Sequence, residues 1–124
     1  IFLNSNDSKI LWWWKNGENK IEYFGIKYEY EGLIFTFYPD YLVQFKDGRL
    51  GIFETKDIGD RDGKTYTKMK AETLQKYITD SKNKKLFGGI AIKKGSSWLI
   101  NQEKKYDWGM VERGDWSEWK TIEL

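Results

Sequence analysis

FYPDYLVQFKDGRLGIFETKD, residues 37 to 57, reads as two apolar strands joined at Lys46-Asp47-Gly48, with charge placed inside them. Pro39-Asp40 splits one hydrophobic run, and Glu54-Thr55-Lys56 ends the next. Buried charge is costly unless it is paired, hydrogen-bonded or bound to a metal. The length of the loop decides where these charges go, because strand side chains alternate between two faces. A two-residue Asp-Gly loop would pair Lys46 with Arg49 and set Asp40 across from Thr55, leaving Glu54 and Lys56 on the other face. A three-residue loop with Gly48 left-handed, a type I turn plus bulge, pairs Phe45 with Arg49 instead. Asp40 then stands opposite Glu54, and Lys56 follows two residues on along the same face. Pro39 suits a kink or bulge beside them, since it has no N–H to give a ladder.

Outward from this stretch the chain reads as a meander of up to four strands. ILWWWK (10 to 15) is a bulky strand, Asn16-Gly17 is a strong hairpin signal, and IEYFGIKYEY (21 to 30) is its return strand. Glu31-Gly32 turns into LIFTFYPDYLVQF (33 to 45), and Asp47-Gly48 turns into RLGIFETK (49 to 56). DIGDRDGK (57 to 64) is a loop whose Asp57, Asp60 and Asp62 lack the Gly and distal Glu of an EF-hand. From Tyr66 to about Ser81 the period becomes helical, with Tyr66, Met69, Thr73, Leu74, Tyr77 and Ile78 able to share one face. LFGGIAIKK (86 to 94) is a strand interrupted by Gly88-Gly89, and WLINQ follows a turn at Gly95 to Ser97. The last 20 residues, with Trp108, Trp116 and Trp119 among charges, have no clean period. A run of strands, a helix and another strand predicts an α+β or mixed α/β domain, with a crossover if the strands flanking the helix are parallel.

Length and composition narrow the chemistry. The 124 residues suit one domain with a modest core. The first residue is Ile, which reads as a domain of a longer protein. No apolar stretch approaches the ~18 residues of a membrane span, and no signal-peptide pattern is present. With no Cys there are no disulfides or thiolate metal sites, which fits a cytoplasmic protein. With no His there is no imidazole catalysis and no zinc site of the usual kind. Carboxylates, Lys, Tyr or a hard metal ion must carry any reaction. Residues 56 to 94 hold eleven Lys/Arg against five Asp/Glu inside a chain of net charge +2, so the segment after the charged strand suits a polyanion or is a solvated helix face.

Two facing carboxylates repel unless a proton or cation lies between them. In a chain without His or Cys, Mg²⁺ or Mn²⁺ is the natural guest. Such an ion can hold a phosphodiester oxygen, lower the pKa of a bound water and stabilise the charged transition state. The less favoured alternative is that Asp40 and Glu54 simply form an ion pair with Lys56 in a structural role. Lys64, Lys68, Lys70 and Lys76 could track a DNA backbone, with Gln75 beside them, although solvation explains any one of them. The Trp-rich tail could instead be a protein-interaction surface.

Pro39-Asp40, thirteen intervening residues, then Glu54-Thr55-Lys56 resembles the signature of PD-(D/E)xK nucleases. KNG (15 to 17), IKYEY (26 to 30), the stretch from 37 to 57 and KMKAETLQKYI (68 to 78) are similar to the C-terminal endonuclease domain of type III restriction enzyme Res subunits and related restriction helicases. The resemblance covers roughly residues 10 to 92 and implies a restriction-endonuclease-like mixed sheet flanked by helices. It implies Asp40 and Glu54 as metal ligands, the peptide carbonyl of Thr55 completing the shell, and Lys56 as catalytic lysine. It also implies DNA as substrate, a helicase or translocase domain in the same polypeptide, and a methyltransferase subunit as partner. Many members add an acidic residue from a preceding helix, for which Asp7 is a poor substitute. A catalytically silent nucleic-acid-binding module of the same fold is the alternative.

Overall fold

The structure is a computed structural model that describes residues 9–15, 24–56 and 64–122, without the side chains of residues 64–66 and Trp108. Runs of β-branched and aromatic residues, cut by Gly and Asp turns, form eight strands with two helices among these residues. The fold is mixed α/β, as the order of patterns predicts. β1 (Ile10–Lys15), β4 (Tyr41–Phe45), β5 (Leu50–Lys56), β6 (Leu86–Lys94), β7 (Ser97–Asn101) and β8 (Trp119–Thr121) form one sheet in that spatial order. β2 (Ile26–Tyr30) and β3 (Leu33–Phe37) form a separate antiparallel pair. Within the large sheet β5 and β6 are parallel while the other neighbours are antiparallel. A parallel pair needs a long crossover, and α1 (Lys64–Asp80) provides it.

The turn between β4 and β5 is the three-residue form. The Phe45 N–H donates to the Arg49 carbonyl at 2.8 Å, and the Gly48 N–H donates to the Phe45 carbonyl at 3.1 Å. Gly48 has φ +95°, a conformation that costs a residue with a side chain. The register runs from Gln44 opposite Leu50 to Tyr41 opposite Phe53, and carried one step further it sets Asp40 across from Glu54.

The meander does not form as the local signals suggest. β1 pairs with β4 rather than with the strand that follows it. Asn16-Gly17 and residues 21–23 lie outside the described residues, as does the loop at 57–63. The single strand expected over 33 to 45 is two strands in two different sheets, broken at Tyr38-Pro39-Asp40. The tail without a period forms α2 (Trp108–Glu112), capped by the Asp107 carboxylate on the Gly109 N–H, and then edge strand β8.

Alternation divides the core between the faces of the sheet. Val43, Phe45, Phe53 and Ile100 pack with Ile10 on one face. On the other, Ile52 and Leu86 pack with Leu74 of α1 and with Ile26 and Phe37 of the small sheet. Farther along that face, Ile90 and Ile92 meet Ala71, Tyr106, Val111 and Trp119. The tail tryptophans Trp116 and Trp119 are therefore core members, edge to face at 5.5 Å. The buried side of α1 is Thr67, Ala71, Leu74 and Gln75 with Ile78 alongside. It is rotated from the expected stripe, and Tyr77 is exposed on its flank against Phe24. Gly88 and Gly89 let β6 approach both neighbours, since a Cβ would meet the Ile52 carbonyl at the first and the Asn101 carbonyl at the second.

Candidate active site

The sheet face under α1 carries the charges. Even-numbered residues of β5 point there, so Glu54 and Lys56 continue the row that begins with Leu50 and Ile52. Antiparallel ladders alternate narrow and wide pairs; counted from Phe45 and Arg49, the narrow pair after Tyr41–Phe53 would join Pro39 to Thr55. Pro39 has no N–H to give, and the ladder stops. The Asp40 carboxylate stands in for the Pro39 carbonyl, to which a continuing ladder would direct the Thr55 N–H. Its Oδ2 accepts from the Thr55 N–H and from the Thr55 hydroxyl, each at 2.9 Å. The Pro-Asp pair thus ends one strand while tying its last carboxylate to the next.

Glu54 is 3% exposed. Its Oε2 lies 3.1 Å from the Lys70 ammonium and 4.0 Å from that of Lys56. Its Oε1 is buried and accepts no hydrogen bond from any described residue. Burial, with the Asp40 charge nearby, pushes the Glu54 carboxyl up to about 7, while Lys70 and Lys56 pull it back. One carboxylate therefore faces one like charge and two opposite ones. The spacing of Lys70 from its neighbours could have flagged it. It falls between Thr67, Ala71 and Leu74, on the edge of the buried side of α1, where a lysine needs a partner. Its ammonium also lies 5.7 Å from the Phe37 ring centre.

The other residues expected to track DNA do not join this cluster. Lys68 is exposed and lies 3.9 Å from Glu72 one turn on. Gln75 is buried, and its amide donates to the Gly88 carbonyl at 2.9 Å, so it braces α1 on β6 and offers nothing to a ligand at the surface. Lys76 is exposed and lines a cleft of about 420 Å³ between α1 and β2, with Glu72, Tyr77 and Tyr28 among its walls. Neither Asp40, Glu54, Lys56 nor Lys70 lines that cleft. Lys64 begins α1, and its side chain is outside the described residues, as is Asp7. Of the basic residues on the helix, Lys70 alone is seen to reach the candidate site.

The donor set fits a small hard cation. Glu54 Oε1 is a buried oxygen with no donor among the described residues, and one Asp40 oxygen is already oriented by Thr55. Oxygen donors of this kind suit Mg²⁺ or Mn²⁺. Among the described residues no group of three or more acidic, His or Cys side chains converges. The remaining positions would fall to the Thr55 carbonyl, water and substrate oxygens. Thr55, opposite Ala91 in the parallel ladder, contributes more than its peptide group: its hydroxyl positions Asp40.

No protein-family model matches the chain, and neither a curated protein nor a solved structure matches it significantly. No helix among the described residues is long and apolar enough to cross a membrane.

Proposed function

We propose that the chain is a Mg²⁺-dependent deoxyribonuclease domain that hydrolyses DNA phosphodiesters, of the PD-(D/E)xK type and similar to the endonuclease domain of type III restriction enzymes. The observation that carries the reading is the buried Oε1 of Glu54, without a donor among the described residues, with the Asp40 charge nearby and the Lys56 ammonium 4.0 Å from Oε2. A buried carboxylate oxygen without a donor is a candidate ligand for a cation. Asp40 and Glu54 would hold Mg²⁺ or Mn²⁺ with the Thr55 carbonyl. Bound there, the ion supplies Lewis-acid stabilisation of a phosphoryl oxygen and a more acidic water. Thr55 fixes the Asp40 carboxylate, and Lys56 places a positive charge at the edge of the cluster, where it can orient water or meet developing phosphate charge. The proposed setting is cytoplasmic, with DNA delivered by a helicase or translocase domain of the same polypeptide and a methyltransferase subunit recognising the site.

One observation favours a second reading, a silent nucleic-acid-binding module: Lys70 already sits on Glu54 as an internal cation. Cleavage of supercoiled plasmid in Mg²⁺ separates the two. The nuclease reading expects nicking or linearisation by the wild type and its loss in Asp40→Ala and Lys56→Ala. Equal cleavage by all three proteins refutes it. No cleavage by any of them, with DNA binding that weakens steeply with salt, establishes the binding module.

A further inference from the structure

We infer that Lys70 is a tethered counter-cation which an incoming divalent ion displaces from Glu54, so that the site exchanges an internal ammonium for a metal. This rests on the nuclease reading and adds a step before it. Lys70 and Lys56 both approach the same oxygen, Glu54 Oε2, at 3.1 and 4.0 Å. The other oxygen, Oε1, accepts no hydrogen bond from the described residues. Asp40 directs its Oδ2 to Thr55. Among the described residues two carboxylates and two ammoniums leave the cluster with no net charge, and a divalent ion entering it meets both ammoniums at close range. One of them must withdraw for the ion to bind well.

The structure distinguishes which. Lys56 is the last residue of β5, a strand with neighbours on both sides, and its side chain is 18% exposed. Lys70 reaches in from α1 with a side chain 33% exposed, its head near the Phe37 ring. A lysine is a point charge on a flexible four-carbon stem, so Lys70 can swing toward solvent with its helix unmoved. Until then it keeps the buried Glu54 compensated. A bare carboxylate there would be costly.

Calorimetric titration of the full chain with Mg²⁺ tests this on wild type and Lys70→Met, at about pH 8.5 so that protons compete little for the carboxylates. In parallel, Lys70 of the wild type is acetylated with a water-soluble active ester, with and without saturating Mg²⁺, and read by mass spectrometry. Removing one ammonium from the site is expected to tighten Mg²⁺ binding by about tenfold or more, and Mg²⁺ is expected to raise Lys70 acetylation several-fold. If the wild type binds Mg²⁺ while Lys70 acetylation stays constant, the exchange is overturned and the nuclease reading stands. Equal or weaker Mg²⁺ binding by a folded Lys70→Met protein overturns it likewise. If the variant does not fold, the acetylation of the wild type decides. Failure of both proteins to bind Mg²⁺ overturns the exchange and the metal site together.

Discussion

Glu54→Gln keeps the shape of the buried side chain and removes its charge. Burial and the neighbouring Asp40 raise the Glu54 carboxyl from the ordinary 4.5 to about 7. The folded protein therefore binds this proton more tightly than the unfolded chain does. The resulting stabilisation is complete below pH 4.5 and is lost as pH rises through 7. At 1.36 kcal/mol per unit of pKa, the wild type gives up about 3 kcal/mol across that window, and Gln gives up none. Urea unfolding in the presence of EDTA, repeated from below pH 4.5 to above pH 7 on both proteins, measures the difference. The gap in unfolding free energy should drift by about 3 kcal/mol in favour of Gln as pH rises. Parallel curves would show that Glu54 does not carry the burden its burial implies.

Thr55→Val removes the hydroxyl that orients Asp40 and leaves the backbone donor in place. It should cost about 1 kcal/mol in urea unfolding and weaken Mg²⁺ binding in calorimetry; unchanged Mg²⁺ affinity would remove Thr55 from the site. Gly48→Val forces a β-branched residue to φ +95° beside the Lys85 side chain. A loss of about 2 kcal/mol or more is expected by chemical unfolding, and a neutral result would contradict the three-residue turn. Gln75→Leu leaves the Gly88 carbonyl without its buried donor, which should cost about 1–3 kcal/mol and leave DNA affinity at fixed salt unchanged. A fall in affinity in a folded variant would return Gln75 to the ligand surface.

The register of β4 and β5 was legible because it is local: Lys46-Asp47-Gly48 encodes its own turn, and alternation does the rest. The pairing of β1 was not legible, since a strand's distant partner leaves no mark in its own sequence, and Asn16-Gly17 pointed to the neighbour in the chain. Pro39 was readable as a disturbance, but only the position of Thr55 shows that the Asp40 carboxylate accepts the N–H that a continuing ladder would give to the Pro39 carbonyl. On α1 the helical period was clear and its rotation was not. An error of one residue in the buried stripe places Lys70 and Gln75 with the solvated lysines. Contact with Glu54 and with the glycine pair of β6 shows that both point inward. The role of Gln75 depends on how closely Gly88 and Gly89 let the layers approach, and a helix period carries no information about that distance.

Titration of the isotopically labelled chain with Mn²⁺, followed by paramagnetic broadening of its amide resonances, examines the proposed metal site directly. The expected result is selective loss, at substoichiometric Mn²⁺, of the signals of Asp40, Glu54, Thr55 and their sheet neighbours, reversed by excess Mg²⁺. Broadening centred elsewhere, or equal broadening in wild type and Asp40→Ala, would contradict a metal held between Asp40 and Glu54.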